Sequence, residues 1–315
     1  MVNSLAEPKI VKPRALKQGD KIGIIAPASS FNREGFLAGC DRLRRMGYAP
    51  VYSDGIFDRD LYFAGPVERR VRDLEEMLER TDIAAVICAR GGYGSNYLLE
   101  RLNFDNFARH PKIFLGCSDV TSLLTAVTDR TGLVTFHGPM VAKDIAAEDG
   151  IDVSSWNHAL QGANAWEIPT HGVDVLRPGR AEGRLYGGCL SLLVASLGTE
   201  FEVRTNDTVL FMEDVAEKPY RIDRMLMQLR LAGKLDRVRG IVFGQMLDCV
   251  QPGKQDYTLP QVVMRVLKDF KGPVAFGLRS GHVSAGNITL PLGVRAELVV
   301  DGSRVKLSVL EPATI

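Results

Sequence analysis

Ser118 is the residue around which chemistry can be organised. Residues 112–121 read Lys-Ile-Phe-Leu-Gly-Cys-Ser-Asp-Val-Thr. An apolar run of strand length ends at Gly116, and apolar residues at helical spacing (Val120, Leu123, Leu124, Val127) begin directly after it. A serine on so tight a strand-to-helix turn stands at the carboxyl edge of a sheet, with helix amides aimed at whatever lies before it. The same residues also serve as ordinary helix caps. Gly-x-Ser-Asp-Val lacks the second glycine of the Gly-x-Ser-x-Gly elbow. Acyl transfer from a serine further needs a base to take the hydroxyl proton and a carboxylate to orient that base.

The chain has five histidines, which narrows the choice of base. His110 precedes Pro111 before a strand, on the wrong edge of the sheet, and His158 and His171 sit in a polar stretch. His137 ends a strand near the edge that carries Ser118. His282 follows Phe-Gly-Leu-Arg-Ser-Gly, a strand end with two glycines that free the backbone. A lone histidine in either place also reads as a satisfied structural residue. Among acids, the β-branched and apolar run 208–212 leads straight into Glu213-Asp214, which places a carboxylate at a strand end. Glu217 is the competing acid, and pairing of these acids with Lys218 or Arg221 is the structural alternative. After another buried run, Gly91-Gly92-Tyr93-Gly94 brings backbone amides close to a ligand, either as a tight turn, an anion loop or an oxyanion hole beside Ser118. It has neither the Gly-x-Gly-x-x-Gly order nor the Lys-Ser/Thr of a nucleotide loop. No His or Cys pair has the spacing of a zinc site.

The elements that must hold these residues alternate. In the first half, strands at 21–26, 48–52, 83–88, 113–116 and 134–136 are interleaved with helices at 33–46, 67–79, 97–102 and after 120. That alternation specifies a doubly wound parallel sheet. From about 144 to 180 apolar periodicity fades, and Asp, Gly, His and Pro surround Trp156 and Trp166, as in an inter-domain connection with a short helix. Strands then dominate: 181–186, 208–213, 240–244, 274–277, a hairpin-like pair 288–290 and 296–300, and 305–310. Helices opened by Pro219 and spanning 259–270 interrupt them. The expected organisation is a domain over 1–145, a connection over 146–180, and a β-rich α/β domain over 181–315.

Composition bounds the partners. Lys and Arg total 39 against 38 Asp and Glu, for a net charge of +1, and no basic stripe is interleaved with aromatics, so nucleic acid is not expected. Residues 1–20 carry prolines and charges without an apolar core, and no run approaches 18 apolar residues, which argues against an export signal and a membrane span. Five scattered cysteines with no Cys-x-x-Cys fit a cytoplasmic location.

Taken together, Ala89-Arg90-Gly91-Gly92-Tyr93-Gly94, Gly116-Cys117-Ser118-Asp119, His137-Gly138-Pro139, Glu213-Asp214 before Pro219-Tyr220-Arg221-Ile222-Asp223-Arg224, and Gly281-His282 resemble the L,D-carboxypeptidase family. That family holds murein tetrapeptide carboxypeptidases and microcin C self-immunity peptidases. The resemblance runs from Ala26-Pro27 to Leu290-Pro291-Leu292-Gly293. It implies a flavodoxin-like N-terminal half and a swivelling β-rich C-terminal half. It also implies a serine triad of Ser118, Glu213 and His282, with an oxyanion hole from the amides of Gly92 and Asp119. Cys117 departs from the family, where a bulkier residue is common. The implied reaction releases terminal D-alanine from a diaminopimelate- or lysine-containing tetrapeptide, with no metal or cofactor. Cleavage of a peptidyl-nucleotide is the alternative, for which Trp156 or Trp166 would stack on the base, and a ligand-binding module without chemistry is the remote one. Arg90 and Arg279 lie beside the implied site as candidates for the substrate carboxylate, and a homodimer is expected.

Overall fold

Apolar runs of three to six residues, separated by amphipathic helices, leave the first half one solution: strands side by side under helices on both faces. The computed structural model describes residues 8–315 apart from Pro252 and Lys254; the first seven residues of the stretch read above for an export signal lie outside it. Strands Lys21–Ile25 (β1), Ala49–Val51 (β2), Ile83–Cys88 (β3), Ile113–Gly116 (β4) and Thr135–His137 (β5) pair in parallel. Every residue of β3, β4 and β5 is buried. Pro50 is accommodated because β2 pairs on one side only, as the sheet's edge.

The second half contributes Trp166–Ile168 (β6), Asp174–Arg177 (β7), Gly179–Cys189 (β8), Thr208–Glu213 (β9), Gly240–Gly244 (β10), Val274–Leu278 (β11), Leu290–Leu292 (β12), Arg295–Asp301 (β13) and Arg304–Val309 (β14). Eight of them form a mixed sheet in the order β6-β14-β13-β8-β9-β10-β11-β7. Its centre, β8 to β11, is parallel. The chain is thus an α/β protein with a flavodoxin-like, doubly wound parallel sheet in its first half and a β-rich second half.

Three expectations are corrected. The stretch 146–180 is more than a connection, because besides the helix Val153–Leu160 it supplies β6 and β7, the two edges of the second sheet. The hairpin expected between 288–290 and 296–300 does not form. β12 instead pairs antiparallel with β5, His137 opposite Leu290, and so completes the first sheet. The hairpin is β13 with β14, turning at Asp301 and Arg304. The helix at 97–102 is a short turn, Asn96–Leu99, followed by a second helix, Phe104–Arg109, whose first turn is capped by the Asn103 side chain.

One apolar cluster runs through both halves, from Ile22 and Phe36 through Trp156 and Trp166 to Leu298 and Val309. Trp156 is fully buried, and Trp166 is 7% exposed with His158 stacked on it. Neither indole has a free face for a nucleobase, which removes the stacking role considered for them. Polar ties add to the join: Tyr186 donates to Asp129 Oδ2 at 2.5 Å, and Arg184 lies 3.4 Å from Asp129 Oδ1.

Candidate functional site

In the first sheet the order β2-β1-β3-β4-β5 reverses direction between β1 and β3, and loops after neighbouring strands open a crevice at such a point. The glycine loop follows β3 and the Ser118 turn follows β4. Ser118 has φ 62°, a left-handed conformation rarely adopted by a residue with a side chain. The strained backbone lifts its hydroxyl off the end of β4, as in nucleophile elbows, without the glycine such elbows usually carry. Room for the turn comes from Gly91: a Cβ there would lie 2.8 Å from Ser118 Cβ and 3.2 Å from the Asp119 nitrogen. Gly92 has φ 94°, and a Cβ there would meet Ser29 Oγ at 2.5 Å.

Asp119 does not cap its own helix, contrary to the simplest reading of Ser-Asp. Its carboxylate accepts from the Ser95 amide at 2.7 Å, while its carbonyl accepts from Ser95 Oγ at 2.6 Å. The Ser118 turn is thereby fastened to the glycine loop. Burial raises the Asp119 pKa above the ordinary aspartate value despite these hydrogen bonds. Two further supports were invisible in the sequence. The guanidinium of Arg70, almost fully buried, donates to Pro27 O at 2.6 Å and Gly94 O at 2.8 Å, joining the loops after β1 and β3. Ser29 Oγ accepts from the Tyr93 amide at 3.0 Å. Only the i, i+3 and i+7 positions of a helix are legible in a run such as 67–79, so Arg70 reads as a solvated charge until the loops fold over it.

The second sheet brings its carboxyl edge to the same place. Cys189 and Glu213 are register partners at the ends of β8 and β9. Glu213 is fully buried at the end of β9 because the elements around it are bare: a Cβ on Gly244 would come within 2.5 Å of Glu213 Cβ, and one on Gly281 would overlap the Glu213 carboxyl carbon. The loop after β11 carries His282. Its shape is held by Asn287, which accepts from the Gly281 amide and donates to the Gly281 carbonyl, both at 3.0 Å.

These edges meet. His282 Nε2 is 3.0 Å from Ser118 Oγ, and His282 Nδ1 is 2.7 Å from Glu213 Oε2. The His282 backbone amide donates to the same Oε2 at 3.0 Å. Burial works against the charge of Glu213, but His282 and His137 outweigh it and hold the carboxyl well below its ordinary value. Burial likewise opposes an imidazolium at His282, yet the charge of Glu213 and its hydrogen bond raise the histidine above its ordinary value.

The other sequence candidates stand outside this chain of contacts. Glu217, in the loop before the helix Pro219–Leu231, pairs at 3.3 Å with Arg221 on that helix and makes no contact with His282. Arg90 is exposed and donates to Ser30 O at 2.7 Å; Arg279 is half-buried, with Asp152 at 3.9 Å. Cys117 is buried under the turn and disturbs nothing. Among the described residues, Cys189, Glu213 and His282 are the one group whose ligand-capable atoms converge, within 4.8 Å. There the hydrogen bond between Nδ1 and Oε2 fills the space an ion would need, and burial raises the Cys189 pKa well above its ordinary value, so the thiol keeps its proton. No helix among the described residues is long and apolar enough to cross a membrane.

The carboxyl edges of two sheets, which bring a serine, a histidine and a glutamate into hydrogen-bond contact at the seam between the halves, define an α/β protein with a Ser-His-Glu constellation. The chain belongs to the LD-carboxypeptidase family: residues 22–138 match the model of the LD-carboxypeptidase N-terminal domain and residues 182–298 that of the C-terminal domain. The chain is 38% identical over 294 residues to the probable murein peptide carboxypeptidase of Bacillus subtilis (strain 168), covering 91% of each. It is 29% identical to the microcin C7 self-immunity protein MccF of Escherichia coli, covering 96% of each. The crystal structure of muramoyltetrapeptide carboxypeptidase from Oxalobacter formigenes superposes with a TM-score of 0.83 at 28% identity, covering 92% of this chain and 98% of that one.

Proposed function

We propose that the protein is a serine-type L,D-carboxypeptidase that removes the terminal D-alanine from murein tetrapeptides. The observation that carries the reading is the chain of short contacts from Ser118 Oγ through His282 to Glu213, 3.0 and 2.7 Å long. Neutral His282 takes the Ser118 proton at Nε2 as the oxygen attacks the carbonyl, then returns it to the departing D-alanine amine. Glu213 fixes the tautomer by accepting from Nδ1–H and stabilises the imidazolium. The amides of Gly92 and Asp119 bind the oxyanion, each donor contributing about 3 kcal/mol. The same steps in reverse, with water as nucleophile, release the acyl-enzyme. Arg90 and Arg279 serve the terminal carboxylate. The halves before and after 146–180 act as two domains of a cytoplasmic homodimer, for which light scattering at twice the 34.6 kDa chain mass is the check.

Similarity to the Bacillus subtilis relative favours the murein peptide over a peptidyl-nucleotide, since the identity is higher than to the microcin protein. The burial of both tryptophans supports the same choice. The test is incubation with murein tetrapeptide and, separately, with an aminoacyl sulfamoyl nucleotide, products read by mass spectrometry. D-alanine from the first is expected. Turnover of the nucleotide alone would move the protein to the immunity peptidases, and full turnover by Ser118→Ala would remove the serine mechanism.

A further inference from the structure

His137 ends β5 with no exposure, and the proposed reaction gives it no task. Its ring lies edge-on to Phe211, with centroids 5.2 Å apart. Nδ1 is 3.1 Å from Ser280 Oγ, and that hydroxyl is also 2.9 Å from the Ile288 carbonyl oxygen. Nε2 points at Glu213 Oε1 from 3.6 Å. Both of these atoms are buried, and neither has another hydrogen-bond partner. An unpartnered buried nitrogen facing an unpartnered buried carboxylate oxygen is costliest when the nitrogen carries a lone pair there, and an N–H at that position can relieve both atoms at once.

The neighbours of Nδ1 allow the alternative. As an imidazolium, His137 donates from Nδ1 to Ser280, and Ser280 donates to Ile288 O. As a neutral ring protonated at Nε2, it accepts the Ser280 proton at Nδ1, and the Ile288 carbonyl gives up that donor. Nε2 carries a hydrogen in both states, and a shift of about half an ångström brings it to Oε1 at hydrogen-bond distance. The tautomer that leaves Nε2 bare would press a lone pair against a carboxylate in a water-free site.

We infer that His137 is a positioning residue for the proposed triad: its Nε2–H holds Glu213 Oε1, so that one carboxylate is clamped between two imidazoles and presents Oε2 squarely to His282. β12 makes this arrangement possible. By crossing back to pair with β5, it ties the strand that ends in His137 to the loop that carries Ser280 and His282. The inference rests on the Ser118–His282–Glu213 reading. The charged and titratable groups around His282 are Glu213, Asp214, Asp144, Lys143 and Cys189, and none of them is altered by changing His137.

A serine-directed fluorophosphonate tests the clamp independently of the natural substrate. Its second-order labelling rate is measured from pH 5 to 9, alongside kcat and KM for murein tetrapeptide, on the full chain. His137→Phe keeps the packing on Phe211 but removes the N–H. It should lower the plateau labelling rate and kcat by about tenfold with KM nearly unchanged. Its acid limb should move to higher pH, because the charge of Glu213 then falls on His282 alone. His137→Gln can place an amide N–H close to the Nε2 position and should restore the rate to within about threefold of wild type, with the limb restored. If the Phe variant does not fold by thermal melting, His137→Asn, too short to reach Oε1, replaces it in the same comparison. Wild-type rate and limb in the variant lacking the donor, or equal impairment of Gln and Phe, would overturn the inference. Labelling of wild type that persists unchanged in Ser118→Ala would instead overturn the serine reading and this inference with it.

Discussion

The Ser118 turn and the Glu213–His282 pair face each other across one seam, yet they are made differently. The turn is local: β4, the positive φ of Ser118 and the Asp119–Ser95 clasp lie within about one supersecondary unit. The pair is assembled from afar, since Glu213 and His282 are 69 positions apart and His282 and Ser118 are 164 apart. The local part depends on backbone conformation and bare glycines. The distant part depends on burial, where one displaced carboxylate has no water to replace its partner. A nucleophile can therefore be encoded by its neighbours, whereas its base and orienter require the whole second sheet to dock.

That comparison can be broken at several points. The largest effect belongs to the turn: Ser118→Ala should reduce tetrapeptide turnover by about ten-thousandfold while leaving the melting temperature near or above wild type, since it removes a hydroxyl and not a contact in the core. Stopped assays by mass spectrometry, with calorimetry beside them, check both halves of that statement. On the other side of the seam, Glu213→Gln should cost about a thousandfold by loosening the tautomer of His282. Glu217→Gln, on an exposed pair, should stay within about twofold of wild type. Loss confined to Glu217→Gln would mean that the acid has been misassigned.

Gly281→Ala probes the dependence of the pair on packing. The added Cβ would occupy the space of the Glu213 carboxyl group, at a backbone φ of 89° that favours glycine. A fall of about a hundredfold in kcat is expected, with a lowered melting temperature read by calorimetry. The mildest change is expected at the rim. Arg279→Ala should raise KM by about tenfold with kcat little altered, because its guanidinium serves the substrate carboxylate in the proposed reaction.

The pH dependence sharpens the same contrast. His282 works only when neutral, and its pKa is raised, so kcat/KM should fall as pH drops through a limb lying above the ordinary imidazole range. The contributions of the two residues to stability run in opposite directions with pH. His282 stabilises the fold fully below its unfolded value and loses that contribution as pH rises through its raised folded value. Glu213 contributes above its unfolded value and loses the contribution as pH falls through its lowered one. A limb at or below the ordinary histidine range would show that Glu213 does not act on His282 in solution.

Much of this was legible in the chain. The spans 67–79, 83–88, 208–213 and 240–244 coincide with the observed elements because each is a short apolar run or one amphipathic face bounded by a turn. The geometry also brings together Ser118, Glu213 and His282, the three residues that the resemblance singled out. What periodicity could not show was partnership. Leu290–Leu292 is an apolar strand whichever sheet it joins, and its place beside β5 follows from the docking of the two halves. The strands hidden in 146–180 carry weak patterns because they are sheet edges, half open to solvent. Arg70 carries no signal in the helix 67–79 and His137 reads as a strand end; burial makes the first a tie between loops and sets the second against a carboxylate. Sequence by itself determined the elements and the turn at Ser118, because those depend on residues a few positions apart. Only tertiary structure decided which acid and which imidazole stand opposite that serine, because desolvation and hydrogen-bond geometry arise when distant strands share one largely buried edge.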